Sequence, residues 1–318
     1  MAKKFFQFNI FAQCKRYQIP AWQCPEFLFF IMGIIIIISS ISFYAIGERY
    51  VSDPRIVALI VMIVSMTLLV IAFTITRSFE DLAEANRMKA EFVNIVSHQL
   101  RAPLTNLRWA TQFLLSEDFS TVAKKLSTGK ESEYFDIIKE NSYRMEQLID
   151  DLLTITRLKD GRTNSKRTKF SLAGITKGTM EECRAIASAS NLSIELNEDK
   201  NAPLVFSSYP LIKIVVDNLL GNAINYSNGG GKIAIKIKSL PKKVQFEITD
   251  EGIGIPAEDR KYIFEKFFRA KNAVKAEVYG TGLGLFIAKL IIDQMKGRIW
   301  FKSQQDKGTT FYFTLPIN

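Results

Sequence analysis

Two long apolar runs near the start of the chain limit what it can fold into. Phe27 to Gly47 and Ile56 to Thr76 are stretches of 21 residues without a charged side chain. As a helix, each would span about 31 Å at about 1.5 Å per residue, enough to cross the hydrocarbon core of a bilayer. A signal peptide is the alternative interpretation of the first run, but no small-residue cleavage site follows it and a second run comes at once. We therefore expect two transmembrane helices, at 27–47 and 56–76.

Basic residues lie just before the first run and just after the second. They are Lys3, Lys4, Lys15 and Arg16 on one side and Arg77, Arg87 and Lys89 on the other. Because lysine and arginine favour the cytoplasmic side, both termini should be cytoplasmic, with residues 1–26 as a cytoplasmic segment. The loop 48–55 has eight residues, too few for a folded ligand-binding domain outside. The expected location is a bacterial-type inner membrane, with the lipid bilayer as one partner.

The net charge of +10 and the cysteines narrow the functional class. No basic stretch with interleaved aromatic residues stands out, so we expect no nucleic acid partner and attribute the charge to a surface near anionic lipid. Cys14, Cys24 and Cys183 have neither metal-ligand spacing nor a disulfide pattern, which fits a reducing cytoplasm. Acylation of Cys14 and Cys24 near the membrane is the alternative interpretation.

After the second run, helical periodicity dominates residues 77–161. One apolar stripe contains Ala85, Met88, Phe92 and Ile95, and a later one contains Tyr134, Ile138, Met145, Leu148, Leu152 and Ile155. A polar loop around 116–130 separates them, and the second helix should end near Gly161. Neither helix of such a hairpin can bury its apolar face alone. Two copies would form a four-helix bundle, so we expect a homodimer.

The composition changes after a basic linker at 162–169. From Phe170 to Asn318 the pattern alternates between helices (LIKIVVDNLLGNAINYS, GLGLFIAKLIIDQM) and strands (KIAIKIKSL, KVQFEITD, RIWFKS, TTFYFTLP). Helices combined with antiparallel strands of this kind predict an α/β sandwich with helices on one face of the sheet.

His98 is the only histidine in the chain. It belongs to a polar stripe on the first cytoplasmic helix, with Glu91, Asn94 and Arg101 at spacings of three, four and three. A core histidine would not occupy that position, whereas an ordinary surface histidine would. The position alone therefore does not decide between a catalytic histidine and an ordinary surface histidine.

Two glycine segments supply a second chemical feature. Asp250-Glu251-Gly252-Ile253-Gly254-Ile255 follows a predicted strand, and Gly280-Thr281-Gly282-Leu283-Gly284-Leu285 opens a predicted helix. Glycines let a backbone approach a ligand closely, and a helix N-terminus offers free N–H groups to phosphate. Tight turns are the alternative explanation of the glycines. The strand–loop–helix spacing of a Rossmann dinucleotide site is not present.

These segments resemble the sensor histidine kinases of two-component systems over roughly Glu80 to Asn318. SHQLRAPL resembles the phosphoacceptor box, NLLGNAINYS the N box, DEGIGI the first glycine box, IFEKFFRA the F box and GTGLGL the second glycine box, in family order. The resemblance implies a dimerisation and histidine phosphotransfer domain (77–161) followed by a catalytic domain (170–318). The second domain would have the GHKL (Bergerat) fold shared with Hsp90, gyrase and MutL-type ATPases.

The resemblance also implies roles for individual residues. Asp250 would accept a hydrogen bond from the adenine amino group, and Tyr226 would pack near the nucleotide. Asn222 would coordinate Mg²⁺, with Asn218 one turn earlier, and Arg269 would reach the γ-phosphate. The remaining cofactor-binding residues would be Gly252, Gly254, Gly280, Thr281, Gly282, Leu283 and Gly284. Residues 271–279 would form a lid over ATP.

The implied activity is ATP-dependent phosphorylation of His98, followed by transfer to an aspartate of a response regulator. Since the chain stops after its last predicted strand, we expect that receiver domain on a separate protein. Three positions depart from the family pattern. Gln99 replaces the usual carboxylate and could orient the imidazole but not act as a base. Ala102 replaces Thr or Asn and cannot orient water, and Asn225 replaces a basic residue.

Two other functional classes remain open at this point. A non-catalytic scaffold or decoy that binds a partner kinase or response regulator is favoured by Gln99 and Asn225 but opposed by the intact Asp250, Asn222 and Arg269. An ATPase machine of the gyrase or Hsp90 type is disfavoured by the histidine helix and the membrane anchor. The resemblance places a docking surface for the response regulator on the lower part of the helix pair, where Asn106, Trp109, Ala110 and Phe113 should face one side. The alternative is that Trp109 and Phe113 belong to the core of the helical bundle.

Overall fold

The computed structural model describes residues 25–115, 129–159, 166–199, 202–227, 229–276 and 280–317. The chain divides into two compact units, one ending at His98 and the other beginning at Gln99. Each unit is described by itself below.

The described part of the first unit consists of one helix and the part of a second helix that ends at His98. Helix α1 spans Pro25–Tyr50, and α2 begins at Pro54 and ends at Leu114, so that only three residues connect them. Both helices are long and apolar enough to cross a membrane. Their apolar side chains are largely exposed, as for Met62 at 70% and Ile41 at 65%. A soluble protein would bury such a surface, whereas lipid would cover it.

The two apolar helices contact each other through small and polar residues. The Ser40 and Ser65 hydroxyl groups are 2.7 Å apart and hydrogen-bonded. A side chain at Gly47 would collide with Val57, which is buried against it. Small residues let helices approach closely in an apolar environment, where the hydrophobic effect contributes little to association.

A helical hairpin begins the second unit. The end of α2 packs against α3 (Gly129–Lys159), with Ala110 and Asn141 buried and the Asn106 amide donating to the Asn141 side chain at 3.3 Å. Phe113 stacks on Tyr134 with ring centroids 4.5 Å apart, while Trp109 is 58% exposed. Ala110 is therefore not available for the predicted docking surface. Most of the predicted loop 116–130 and the predicted helix end at Gly161 lie outside the described residues.

The rest of the second unit is an α/β sandwich, as predicted. Its elements are β1 (Thr168–Phe170), α4 (Leu172–Ala189), β2 (Leu192–Glu198), β3 (Val205–Ser207), α5 (Tyr209–Tyr226), β4 (Gly231–Leu240), β5 (Lys243–Asp250), α6 (Lys271–Lys275), α7 (Gly284–Gln294), β6 (Arg298–Gln304) and β7 (Gly308–Pro316). The five-stranded sheet has the order β2-β4-β5-β7-β6, and β1 pairs with β3 separately. Alternating apolar residues of the strands face α4, α5 and α7 across one core, in which Phe246 and Phe313 stack 4.8 Å apart.

The structure adds elements that the sequence patterns did not predict. Helix α4 is capped by the Ser171 hydroxyl, which accepts from the Gly174 N–H, and β2 pairs with β4 in parallel. The other pairings of the large sheet are antiparallel. The strands predicted from alternation, β4 to β7, agree with the structure to within one residue at each end.

Candidate functional site

The predicted chemical residues converge on one cleft of the sandwich. Its inner part is lined by residues of α5, β5, β7, α7 and the segment before α6, among them Asn222, Tyr226, Asp250, Gly254 and Arg269. Its outer part continues along α5 and the start of α7, where it is lined by Asn218, Asn225, Gly280, Thr281, Gly282 and Gly284. Two glycine segments that are distant in sequence therefore lie on the same cleft.

Asp250 is a buried carboxylate at the end of β5. Its Oδ1 accepts hydrogen bonds from the Gly252 N–H at 2.9 Å and the Thr309 N–H at 3.1 Å. Burial raises the pKa of Asp250, and these backbone hydrogen bonds oppose the shift. Among the described residues, neither Gly252, Thr309 nor any other neighbour of Asp250 donates a hydrogen bond to its second carboxylate oxygen, Oδ2. The carboxylate thus presents an acceptor with fixed orientation to the cleft.

The two glycines of the first glycine segment cannot be replaced by residues with a side chain, because neighbouring backbone lies too close to them. The Ile253 N–H donates to the Tyr226 carbonyl at 3.1 Å. A Cβ at Gly252 would overlap that same carbonyl oxygen, and a Cβ at Gly254 would overlap the Gln304 carbonyl. Replacement of Gly252 would push the segment away from α5, and replacement of Gly254 would push it away from β6. Either change would displace the part of the cleft that this segment forms.

The second glycine segment forms the entrance to α7. Gly282 has a φ of +71°, and a Cβ there would lie 2.7 Å from the backbone of Phe267. A Cβ at Gly284 would overlap the Asn218 side-chain oxygen, whereas Gly280 has open space around it. Tight packing therefore explains Gly282 and Gly284, but it does not explain Gly280, which lies at the mouth of the cleft.

Helix α5 contributes amide side chains at consecutive turns. The Asn218 Nδ2 donates to the Ile214 carbonyl at 3.0 Å, so its Oδ1 is directed toward Gly284. Asn222 follows one turn later and lines both parts of the cleft, and Asn225 is exposed on the outer part. The predicted amide pair, Asn218 and Asn222, therefore lies beside the second glycine segment.

Tyr226 and Arg269 meet at the junction of the two parts of the cleft. Burial raises the pKa of the Tyr226 hydroxyl, and the Arg269 charge opposes that shift. An Arg269 Nη2 donates to the Ala273 carbonyl at 3.4 Å, which holds the guanidinium near the start of α6. Arg269 therefore provides a cation beside the inner cleft.

Sequence patterns missed the residues that anchor the segment around α6. The buried Asp259 accepts from the Lys271 N–H at 2.9 Å, and the Asn272 amide donates to the carbonyls of Ile253 at 3.2 Å and Gly254 at 2.9 Å. These contacts tie α6 to the first glycine segment. No local sequence signal identifies them, because the partners are 12 to 19 residues apart. Residues 277–279 of the predicted lid lie outside the described residues.

His98, Gln99 and Ala102 are exposed on α2. His98 belongs to the first unit, on the polar side of the helix as its spacing predicted. Gln99 does not line the cleft.

Comparison with protein families finds two domains in the chain. Residues 88–161 match the His Kinase A (phospho-acceptor) domain, and residues 208–318 match the histidine kinase-, DNA gyrase B-, and HSP90-like ATPase domain. The chain belongs to the sensor histidine kinases of two-component systems. Its sandwich is the ATP-binding domain of that family, so the GHKL fold implied by the sequence resemblance is confirmed.

Named relatives of this histidine kinase agree with that assignment. It is 32% identical over 244 residues to Drug sensory protein A of Synechocystis sp., covering 74% of this chain and 36% of that protein. It is 30% identical over 246 residues to the adaptive-response sensory kinase SasA of Synechocystis sp., covering 77% of this chain and 63% of that protein. This chain therefore spans less than two thirds of the length of these relatives.

Solved histidine kinases share the fold. The structure of Acinetobacter baumannii histidine kinase AdeS aligns with a TM-score of 0.55 at 24% identity, covering 70% of this chain and 98% of that one. A complex of histidine kinase ThkA with the response regulator protein TrrA aligns with a TM-score of 0.54 at 23% identity, covering 75% of this chain and 64% of that one.

Proposed function

We propose that this histidine kinase transfers the γ-phosphoryl group of ATP to His98 and then to an aspartate of a separate response regulator. The observation that carries the proposal is the single cleft that contains Asp250, both glycine segments and Arg269. It occurs in a chain whose one histidine is exposed on a helix of the phosphoacceptor domain.

The inner cleft would hold the adenine ring. Asp250 Oδ2 would accept a hydrogen bond from the adenine amino group, a donor that guanine lacks at that position. The two backbone N–H groups that donate to Oδ1 support this role, because they restrain the carboxylate and leave Oδ2 as the acceptor for the ligand. Tyr226 would pack beside the nucleotide, and Gly252 and Gly254 would keep the floor of the cleft free of side chains.

The outer cleft would hold the phosphates. The segment from Gly280 to Gly284 and the N-terminus of α7 suit an anion, because the start of a helix carries a partial positive charge and its first N–H groups have no partner within the helix. Arg269 would contact the γ-phosphate. The Asn222 side-chain oxygen, with Asn218 beside it, would coordinate Mg²⁺, since Mg²⁺ prefers hard oxygen ligands that include phosphate and water. The bound ion would neutralise phosphate charge.

His98 would be the phosphoacceptor. One ring nitrogen would attack the γ-phosphorus as the bond to the bridging oxygen breaks and ADP leaves, and the other ring nitrogen would release its proton to solvent water as the N–P bond forms. Gln99 would accept a hydrogen bond from that second nitrogen and so fix the tautomer. Catalysis of this type depends mainly on positioning and charge neutralisation. An aspartate oxygen of the response regulator would then attack the phosphorus as the N–P bond breaks, and the leaving imidazole of His98 would take up a proton from water.

We also propose the membrane arrangement and the domain limits. Spans at 27–47 and 56–76 would place residues 1–26 and everything after 76 in the cytoplasm, with 48–55 outside a bacterial-type inner membrane. The phosphotransfer domain would occupy 77–161, the linker 162–169 and the catalytic domain 170–318. The exposed apolar side chains of α1 and α2 support the spans.

The proposed partners are a second copy of the chain and a response regulator receiver domain supplied in trans. The hairpin of α2 and α3 leaves Leu104, Ile149 and Leu153 exposed, which a second hairpin would bury in a four-helix bundle. The solved ThkA complex contains a response regulator, which supports a similar partner here. No nucleic acid partner is proposed.

The test uses the full chain in lipid nanodiscs with γ-labelled ATP and Mg²⁺. The expected product is an acid-labile, alkali-stable protein label that His98→Ala abolishes while ATP affinity changes little. Because His98 is exposed, its replacement should not disturb folding. Undiminished labelling of His98→Ala would exclude His98 as the acceptor, and ATP binding without any label would favour a non-catalytic role.

A further inference from the structure

One face of α3 packs into the core of the sandwich but contains a carboxylate. Leu148, Ile155 and Leu158 are buried in the same core as Leu283 and Ile287 of the α7 region. Asp151 lies three residues after Leu148 and four before Ile155, so it occupies the same helical face. An apolar residue would be expected there. A carboxylate in that position has lost part of its hydration and needs a specific partner.

The partner of Asp151 is the second glycine segment. The Thr281 hydroxyl donates to Asp151 Oδ2 at 2.9 Å and accepts from the Leu283 N–H at 3.2 Å. Among the described residues, no lysine or arginine forms an ion pair with Asp151. Burial raises the pKa of this carboxyl group, the Thr281 hydrogen bond opposes the shift, and the neighbouring Asp150 charge adds to it. The carboxylate is therefore held by the glycine segment and not by a counter-charge.

This contact lies on the wall of the outer cleft. Asp150 and Asp151 line the outer cleft together with Asn218, Asn222 and Gly280. Arg157 also lines it, but it is six residues beyond Asp151 and forms no described ion pair with it. The Leu283 side chain makes no cap hydrogen bond to the start of α7, and the partial positive charge of a helix N-terminus favours an anion there. The second glycine segment can therefore either hold the Asp151 carboxylate or bind an anion.

We propose that the Asp151 carboxylate is an internal competitor of the ATP phosphates for the second glycine segment. While α3 is docked, Asp151 engages Thr281 and places a negative charge where the triphosphate must approach. Binding of the phosphates and the Asp151–Thr281 contact are then mutually antagonistic, and by thermodynamic linkage each weakens the other by the same factor. The docked arrangement is a resting state of the kinase that nucleotide must displace.

The inference rests on the proposed nucleotide site, and the test separates the two. ATP and adenosine affinities are measured by competition with a fluorescent ATP analogue on the full chain in nanodiscs, for wild type, Asp151→Asn and Asp150→Asn. Asp151→Asn removes the charge and leaves only a neutral, weaker acceptor for the Thr281 hydroxyl, so we expect it to bind ATP about tenfold more tightly, near the low end of typical coupling between sites. Adenosine, which has no phosphate, should bind both proteins equally.

Asp150→Asn is the matched control, because it removes the same charge from the same wall without touching the Thr281 hydrogen bond. Its effect on ATP affinity should be several-fold smaller than that of Asp151→Asn, because Asp150 is exposed and its charge is screened by solvent, whereas Asp151 is partly buried against Thr281. The inference fails if Asp151→Asn binds ATP no more tightly than wild type, if Asp150→Asn has an equal effect, or if adenosine affinity shifts in parallel. Failure of wild type to bind ATP would instead contradict the nucleotide site itself.

Discussion

Replacement of Gly282 by alanine tests whether the second glycine segment has the geometry described. At a φ of +71°, an alanine costs about 1 kcal/mol relative to glycine. The new Cβ would also lie 2.7 Å from the Phe267 carbonyl carbon and 2.9 Å from its Cα. Both atoms are backbone, so the strain cannot be relieved by rotating a side chain.

The combined cost should be about 2–4 kcal/mol, the range typical of strained backbone positions. For a domain of this size, each kcal/mol lowers the melting temperature by about 2–4 °C, so Gly282→Ala should lower it by roughly 4–16 °C. If the segment instead shifts to relieve the strain, the α7 N-terminus moves with it. ATP affinity then falls while the melting temperature changes less.

Scanning calorimetry and nucleotide competition on the full chain measure both quantities. Gly280→Ala is the matched control for stability, because a Cβ at Gly280 meets nothing within 4 Å and its melting temperature should stay at the wild-type value. If Gly282→Ala kept both the wild-type melting temperature and the wild-type ATP affinity, the packing of this segment against Phe267 would be wrong.

Three further predictions follow from the site. Burial raises the pKa of Asp250, and the ionised form accepts the adenine amino group, so adenosine affinity should fall as pH decreases through a range above that of an exposed aspartate. Asp250→Asn should lose roughly 10- to 150-fold in affinity together with that pH dependence, and a pH-dependent Asn variant would reject the assignment. Gln99→Glu should raise single-turnover labelling of His98 by up to about 10²-fold, because a carboxylate can stabilise the imidazolium; an unchanged rate would show that another group supplies the base. Trp109→Ala should slow transfer to the response regulator without slowing autophosphorylation, since Trp109 is exposed, and equal slowing of both would make it structural.

Local periodicity explains what could be predicted about the fold. Two 21-residue apolar runs, the alternation of β4 to β7 and the helical stripe around His98 are short-range patterns, and each corresponds to an element of the structure. The contacts that these patterns missed join residues that are far apart in the sequence. Asp151 and Thr281 are 130 residues apart, and Asp250 and Thr309 are 59 apart.

The sequence by itself determined which residue types carry the chemistry: a single histidine on the polar stripe of a helix and, for the cleft, amides one turn apart on α5 and glycines at alternate positions. It also identified Asp250 at the end of a strand. The roles of His98 and Gln99 stay predictions. Only the tertiary structure decided why Gly284 lies against Asn218, why Oδ1 of Asp250 is already occupied, and why Ala110 is buried instead of exposed. Those facts depend on which elements pack together, and the contacts that select a packing arrangement are long-range.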